Sequence, residues 1–119
     1  MAGIFSFLSD ALGQGKSDKR ISAEDLLALV EGKEKVTLID VRTREEFKGG
    51  HIPGSVSIPL DMLASTAVKA GGRVVVYCAS GMRSLNGRAA LESKGIRDVV
   101  DLKGGLRAWT RAGGPVVTR

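Results

Sequence analysis

Short β-branched runs alternate along the chain with stretches whose apolar residues recur at helical spacing. The clearest run, Val74-Val75-Val76-Tyr77, has no polar alternation and reads as a strand buried on both faces. Val36 to Val41 reads as a second buried strand, and Val56 to Ile58, between Pro53 and Pro59, and Val99 to Leu102 as two more. Between them the stop and start signals of helices recur. Ser22 with Asp25 predicts a capped helix carrying Leu26, Leu27, Leu29 and Val30 and closed by Gly32. Thr43 with Glu46 suggests a capping box for a short helix ending at Gly49 and Gly50, and Asp61 a cap for a helix from Met62 to Val68. A further helix from Ser84, with Leu85, Ala89 and Leu91, stops at Gly95, and Leu106 to Ala112 makes a last short one. Strands alternating with helices argue for an α/β fold with parallel strands.

Residues 1–18 stand apart as an N-terminal amphipathic helix and linker, with the domain proper over 19–119. Ile4, Phe5, Leu8, Ala11 and Leu12 recur at helical spacing before Gly13, Gln14 and Gly15. No basic residue precedes Lys16 and Asp10 interrupts the apolar positions, unlike a secretory signal. The polar face, Gly3, Ser6, Ser9 and Asp10, lacks the basic residues of an interfacial membrane helix, so packing on its own domain or on a sister subunit is the preferred reading. Self-association through this helix and a cytoplasmic location follow as expectations. No stretch approaches the length of an integral membrane segment.

A chain of 119 residues suffices for one core. Its formal charge is +5, with Lys and Arg interleaved with Asp and Glu, which suits small anions better than nucleic acid. The single cysteine permits no internal disulfide, fits a reducing compartment and leaves a free thiol. That residue, Cys78, sits where the strand Val74 to Tyr77 turns into the next helix. In open α/β sheets ligands bind at such turns, and amides at a helix start favour anions. A thiol with the ordinary pKa near 8.5 is only about 3% ionised at pH 7, so chemistry there needs a shift. A helix terminus supplies about 0.3–1 kcal/mol, whereas a cation about 4 Å away supplies up to about 4 kcal/mol before screening. Arg83 is the expected cation. Gly81 provides the positive φ of a tight cradle, Ser84 a cap or a hydroxyl for the bound group, and the amides from Ala79 to Ser84 converge on the sulfur.

Cys78-Ala-Ser-Gly-Met-Arg83-Ser84 resembles the active-site loop of the rhodanese family of sulfurtransferases. Leu38-Ile-Asp40-Val-Arg42 through Glu46-Phe47 and Gly50-His51-Ile-Pro-Gly54 through Pro59 resemble its first signature, and Gly104-Gly-Leu-Arg-Ala-Trp109 followed by Gly113-Gly-Pro115 its C-terminal one. Together the three segments span Leu38 to Pro115. The resemblance implies a rhodanese-like fold, a five-stranded parallel sheet flanked by helices on both faces. It implies thiosulfate sulfurtransferase chemistry without a cofactor, in which Cys78 accepts a sulfane sulfur as a persulfide and passes it to cyanide, a thiol or a sulfur-relay protein. Arg83 would act with Cys78 in catalysis, and Ala79, Ser80, Gly81, Met82 and Ser84 would bind the small anionic donor.

Other polar residues read as structural. Asp40 is expected in an ion-pair network with Arg42 and Glu46, and His51 to fix a turn by hydrogen bonding. With one histidine and one cysteine, a metal site lacks ligands. Arg88, five residues past Arg83, need not face the loop; Lys103 is a solvated charge by default, and Trp109 is core or edge packing. Two alternatives remain at this point. One is a non-enzymatic binding or sulfur-carrier module; the other, ranked lower, is a phosphatase or arsenate reductase. Only four residues separate Cys78 from Arg83, where phosphatases of that kind resemble a loop with five.

Overall fold

The computed structural model describes residues 19–119, so the helix expected within 1–18 lies outside the described residues. Capping signals in the sequence are realised as hydrogen bonds. Ser22 Oγ accepts from the Asp25 amide at 3.0 Å and starts helix α1, Ala23–Glu31. Thr43 and Glu46 close a reciprocal capping box, at 3.1 and 2.9 Å, at the start of α2, Arg44–Lys48. The other helices are α3, Arg83–Ser93, and α4, Gly105–Arg111.

Five strands, β1 (Arg20–Ile21), β2 (Val36–Asp40), β3 (Val56–Ser57), β4 (Arg73–Tyr77) and β5 (Val99–Leu102), form one sheet in the order β1-β5-β4-β2-β3. Every pairing is parallel. The run at β4 lacks polar alternation because both of its faces are covered. Val75 and Tyr77 join a core with Leu26, Leu29, Val100, Leu102 and Trp109, under α1 and α4. Val74, Val76 and Cys78 join a second with Ile39, Val41, Leu63 and Leu91, under α3. Gly87 permits the close approach of α3, since a Cβ there would lie 3.0 Å from Val76 Cγ2 and 3.3 Å from Val41 Cγ1.

Three elements differ from the sequence expectation. Residues 62–68 do not form a helix capped by Asp61; a 3₁₀ turn runs over Leu60–Ser65, entered from Pro59 with no side-chain cap. The fixed φ of Pro59 begins that turn a residue before Asp61. Ser84 does not cap α3, because the helix starts one residue earlier and Met82 occupies the cap position without a side-chain bond. Strand β1 went unforeseen; only two residues long, it is specified by its neighbour β5 rather than by a local pattern.

At the end of β2 a buried ion pair fixes the next loop. Arg42 Nη2 donates to Asp40 Oδ2 at 2.6 Å and to the Gly50 carbonyl at 2.7 Å, while its amide donates to Asp40 Oδ1 at 2.9 Å. The guanidinium also stands 5.9 Å above the Tyr77 ring. Both charges are withdrawn from water, Asp40 fully. The expected network is corrected in one member, for Glu46 forks onto Arg83 instead. Arg42→Met leaves the Asp40 carboxylate buried and uncompensated, and should lower stability by about 3–5 kcal/mol. Urea unfolding should show an earlier midpoint at unchanged slope, and Asp40→Leu added to Arg42→Met should recover part of the loss.

Candidate functional site

The segment leaving β2 runs toward β3 on one side, and that leaving β4 runs toward β5 on the other. The carboxyl ends of β2 and β4 therefore flank the point where the strand order reverses, the usual place for a ligand crevice. Residues 78–82 bridge β4 and α3 at this point. Gly81, at φ +99°, turns its amide inward to donate to Cys78 Sγ at 3.1 Å. A side chain there would be strained by φ and would bring a Cβ within 2.9 Å of the Gly104 nitrogen.

Cys78 is 1% exposed. Burial pushes its thiol up. Against that, the Ser84 amide, the Ser84 hydroxyl and the amides of Gly81 and Ser80 favour the ionised sulfur, and the balance falls below the ordinary thiol value. The Ser84 hydroxyl is itself fully buried and has no hydrogen-bond partner of ordinary geometry among the described residues, which leaves its dipole to the sulfur. Ala79 and Gly81 line the same turn, whereas the Ser80 and Met82 side chains point outward, Met82 at 71% exposure.

Arg83 stands differently from its expected place. Its Nη1 and Nη2 fork onto Glu46 Oε1 and Oε2 at 2.9 and 3.0 Å, joining the first turn of α3 to α2 across the crevice. Arg83 holds the Glu46 carboxyl down at about 2, while Glu46 raises the guanidinium and Cys78 adds a smaller share. The acidity of Cys78 thus comes from amides and a hydroxyl rather than chiefly from a neighbouring cation. The expected cation has the smaller share because a carboxylate already oriented by its capping box competes for the same guanidinium.

Sequence reasoning missed the supports beneath the loop. Arg20 Nη2 donates to the Gly81 carbonyl at 3.1 Å, and its Nε to Asp101 Oδ2 at 2.9 Å. Arg88, on α3, donates to Asp101 Oδ1 at 3.1 Å. Asp101 is fully buried in β5, a charge in an apolar run that signals such partners. On the other side, the amides of Leu106 and Arg107 donate to the carbonyls of Cys78 and Ala79 at 2.8 and 3.1 Å. That contact needs Gly105, where a Cβ would sit 2.5 Å from the Cys78 oxygen.

The remaining residues fall as structural positions. His51 pairs through Nδ1 with the Phe47 carbonyl at 2.7 Å, stacks on the Phe47 ring at 3.6 Å and exchanges backbone bonds with Val117. Trp109 is core, its Nε1 donating to the Pro115 carbonyl at 2.8 Å. Lys103 is exposed. Among the described residues there is no cluster of three or more His, Cys, Asp or Glu able to hold a metal ion, and no helix long and apolar enough to cross a membrane.

A family model described as the Rhodanese-like domain matches residues 22–112. The chain is 35% identical over 99 residues to a sulfurtransferase of Allochromatium vinosum, an alignment covering 82% of this chain and 92% of that protein. It resembles the crystal structure of a rhodanese-related protein from Thermoplasma volcanium with a TM-score of 0.74 at 31% identity, over 84% of this chain and 98% of the other. It also resembles a thiosulfate sulfurtransferase from Pseudomonas aeruginosa, with a TM-score of 0.73 at 31% identity, over 82% of this chain but 20% of that one.

The support given to Gly81 by Arg20 has a measurable consequence. A thiol alkylates as its thiolate, so the rate falls as pH drops through the pKa of Cys78, below that of a free thiol. Replacing Arg20 by Met releases the Gly81 peptide and should move the midpoint of the iodoacetamide rate profile upward. Arg20→Lys should restore part of the shift, and an unmoved profile would assign the Gly81 amide no dependence on Arg20.

Proposed function

The chain belongs to the rhodanese-like domain family of sulfurtransferases, and from that membership we propose that it transfers the outer sulfur of thiosulfate, or of a similar donor, to a thiol through a Cys78 persulfide. The observation that carries the reading is a buried cysteine whose sulfur accepts the Gly81 amide and is favoured as an anion by the Ser84 and Ser80 groups. An ionised sulfur needs no general base.

In the first half-reaction the Cys78 thiolate attacks the outer sulfur of the donor. A new S–S bond forms, the donor's own S–S bond breaks, and sulfite leaves with the electron pair. Charge balances without an oxidant, since thiolate plus the thiosulfate dianion give persulfide anion plus the sulfite dianion. The amides of Ser80, Gly81 and Ser84 then serve the terminal sulfur, and the unpaired Ser84 hydroxyl supplies one more donor. Ala79 and Met82 complete the loop that receives the donor, Met82 as an uncharged, exposed edge. Arg83 keeps three of its five N–H groups after Glu46 has taken two, and these meet the sulfonate at the mouth. In the second half-reaction a thiolate, from a small thiol or a sulfur-relay protein, takes the outer sulfur and regenerates Cys78.

Brief incubation of the reduced protein with thiosulfate should add one sulfur atom, about 32 Da by intact-mass spectrometry, and cyanide or a thiol should remove it. Cys78→Ser should gain nothing while keeping its circular dichroism spectrum. Folded, reduced wild-type protein that gains no sulfur from any sulfane donor would overturn the reading.

A further inference from the structure

A capping box accepts Gln as well as Glu at its third helical position, so the turn at Thr43 does not itself require the charge of Glu46. That carboxylate is nonetheless held from two sides. Oε1 accepts from the Thr43 amide at 2.9 Å and from Arg83 Nη1 at 2.9 Å, and Oε2 accepts from Arg83 Nη2 at 3.0 Å. Three bonds, from the cap of α2 and from the first turn of α3, leave it little freedom to swing aside for a ligand. The guanidinium it holds also feels the charge of Cys78, so sulfur and carboxylate share one cation. At the end of β2 the other guanidinium, Arg42, is already matched by Asp40. Each pair sums to zero. A donor reaching the loop therefore meets an arginine whose charge has been offset, beside a sulfur favoured as an anion.

Resting on the sulfurtransferase reading, we infer that Glu46 is a specificity-determining residue, whose fixed carboxylate lowers the preference of the site for a doubly charged sulfane donor over a singly charged one. The sulfonyl oxygens of either donor meet the N–H groups of Arg83 that Glu46 leaves free. By fixing the guanidinium plane, Glu46 positions those groups alike for both. Its charge does not act alike. Repulsion from a carboxylate on the same guanidinium scales with the donor's charge, so it weighs about twice as heavily on a dianion as on a monoanion. The site thus gains an oriented guanidinium and gives up part of its pull on thiosulfate. The chemistry is the same for both donors: the Cys78 thiolate bonds to the outer sulfur and the donor's own S–S bond breaks. Sulfite dianion leaves from thiosulfate and a sulfinate anion from a thiosulfonate, each with the electron pair, and no oxidant is involved.

The test compares thiosulfate with methanethiosulfonate, in which a methyl group stands where thiosulfate carries its third oxygen and one negative charge. Loading of the reduced protein is followed by intact mass, and the second-order rate with each donor is measured for wild type and Glu46→Gln. Gln keeps the length of the side chain and its place in the capping box while removing the charge. Taking the ratio of the two rates within each protein cancels changes in folding, in the reactivity of Cys78 and in the orientation of Arg83. The thiosulfate-to-methanethiosulfonate ratio should rise about threefold to fivefold in Glu46→Gln, the scale of one exposed charge pair. A ratio that stays level or falls would overturn the assignment and leave Glu46 as a structural partner of Arg83 alone. Wild type that gains sulfur from neither donor is a separate result, and it would sink the sulfurtransferase reading itself.

Discussion

A buried sulfur held one residue beyond the end of a buried strand, among groups that favour its ionised form, is the constraint on which the rest of the structure depends. Burial opposes the charge on Cys78, and the loop answers with dipoles fixed in the backbone: the amides of Ser80, Gly81 and Ser84, joined by the Ser84 hydroxyl. Dipoles of this kind stabilise charge only if they cannot turn away, because a mobile amide would be no better than water. Much of the surrounding architecture accordingly holds peptides rather than side chains. Arg20 fixes the Gly81 carbonyl, and the first turn of α4 fixes those of Cys78 and Ala79.

Charge is handled differently at different depths. Beneath the loop the buried Asp101 carboxylate is shared by the half-buried Arg20 and Arg88, and at the end of β2 Asp40 pairs with the buried Arg42, at 2.6–3.1 Å. At the mouth, Arg83 and Glu46 are about 40% and a third exposed, and solvent screens their pair. The Glu46 carboxyl held at about 2 nonetheless keeps the fork intact across ordinary pH. Its contribution to stability is fully present above the ordinary carboxylate pKa and is lost progressively as pH falls from there through about 2. Farther out, along α4, Arg107 and Arg111 are exposed and form no ion pair among the described residues.

Much of this was legible from the chain alone. The β-branched runs located β2, β4 and β5, because a strand covered on both faces admits little else. Ser22 and Thr43 marked helix starts, since a cap acts within three residues and leaves a local signature. Gly81 and the position of Cys78 between a strand and a helix pointed to the loop, and its resemblance to the rhodanese loop pointed to sulfur. What a residue does through its own backbone or its near neighbours was therefore readable.

Partners brought together by the sheet were not. Arg20 and Asp101 are 81 positions apart, and they meet only because β1 and β5 pair in register. Glu46 and Arg83, 37 apart, meet because the segments after β2 and β4 diverge around one crevice. The second of these encounters turns the guanidinium expected at the sulfur onto a carboxylate. The sequence by itself determined the strands, the caps and the nucleophile, since local sterics and hydrogen bonding act over a few residues. Which carboxylate claims each of Arg20, Arg42, Arg83 and Arg88 only the tertiary structure decided, because Coulomb interactions depend on distances that strand order sets.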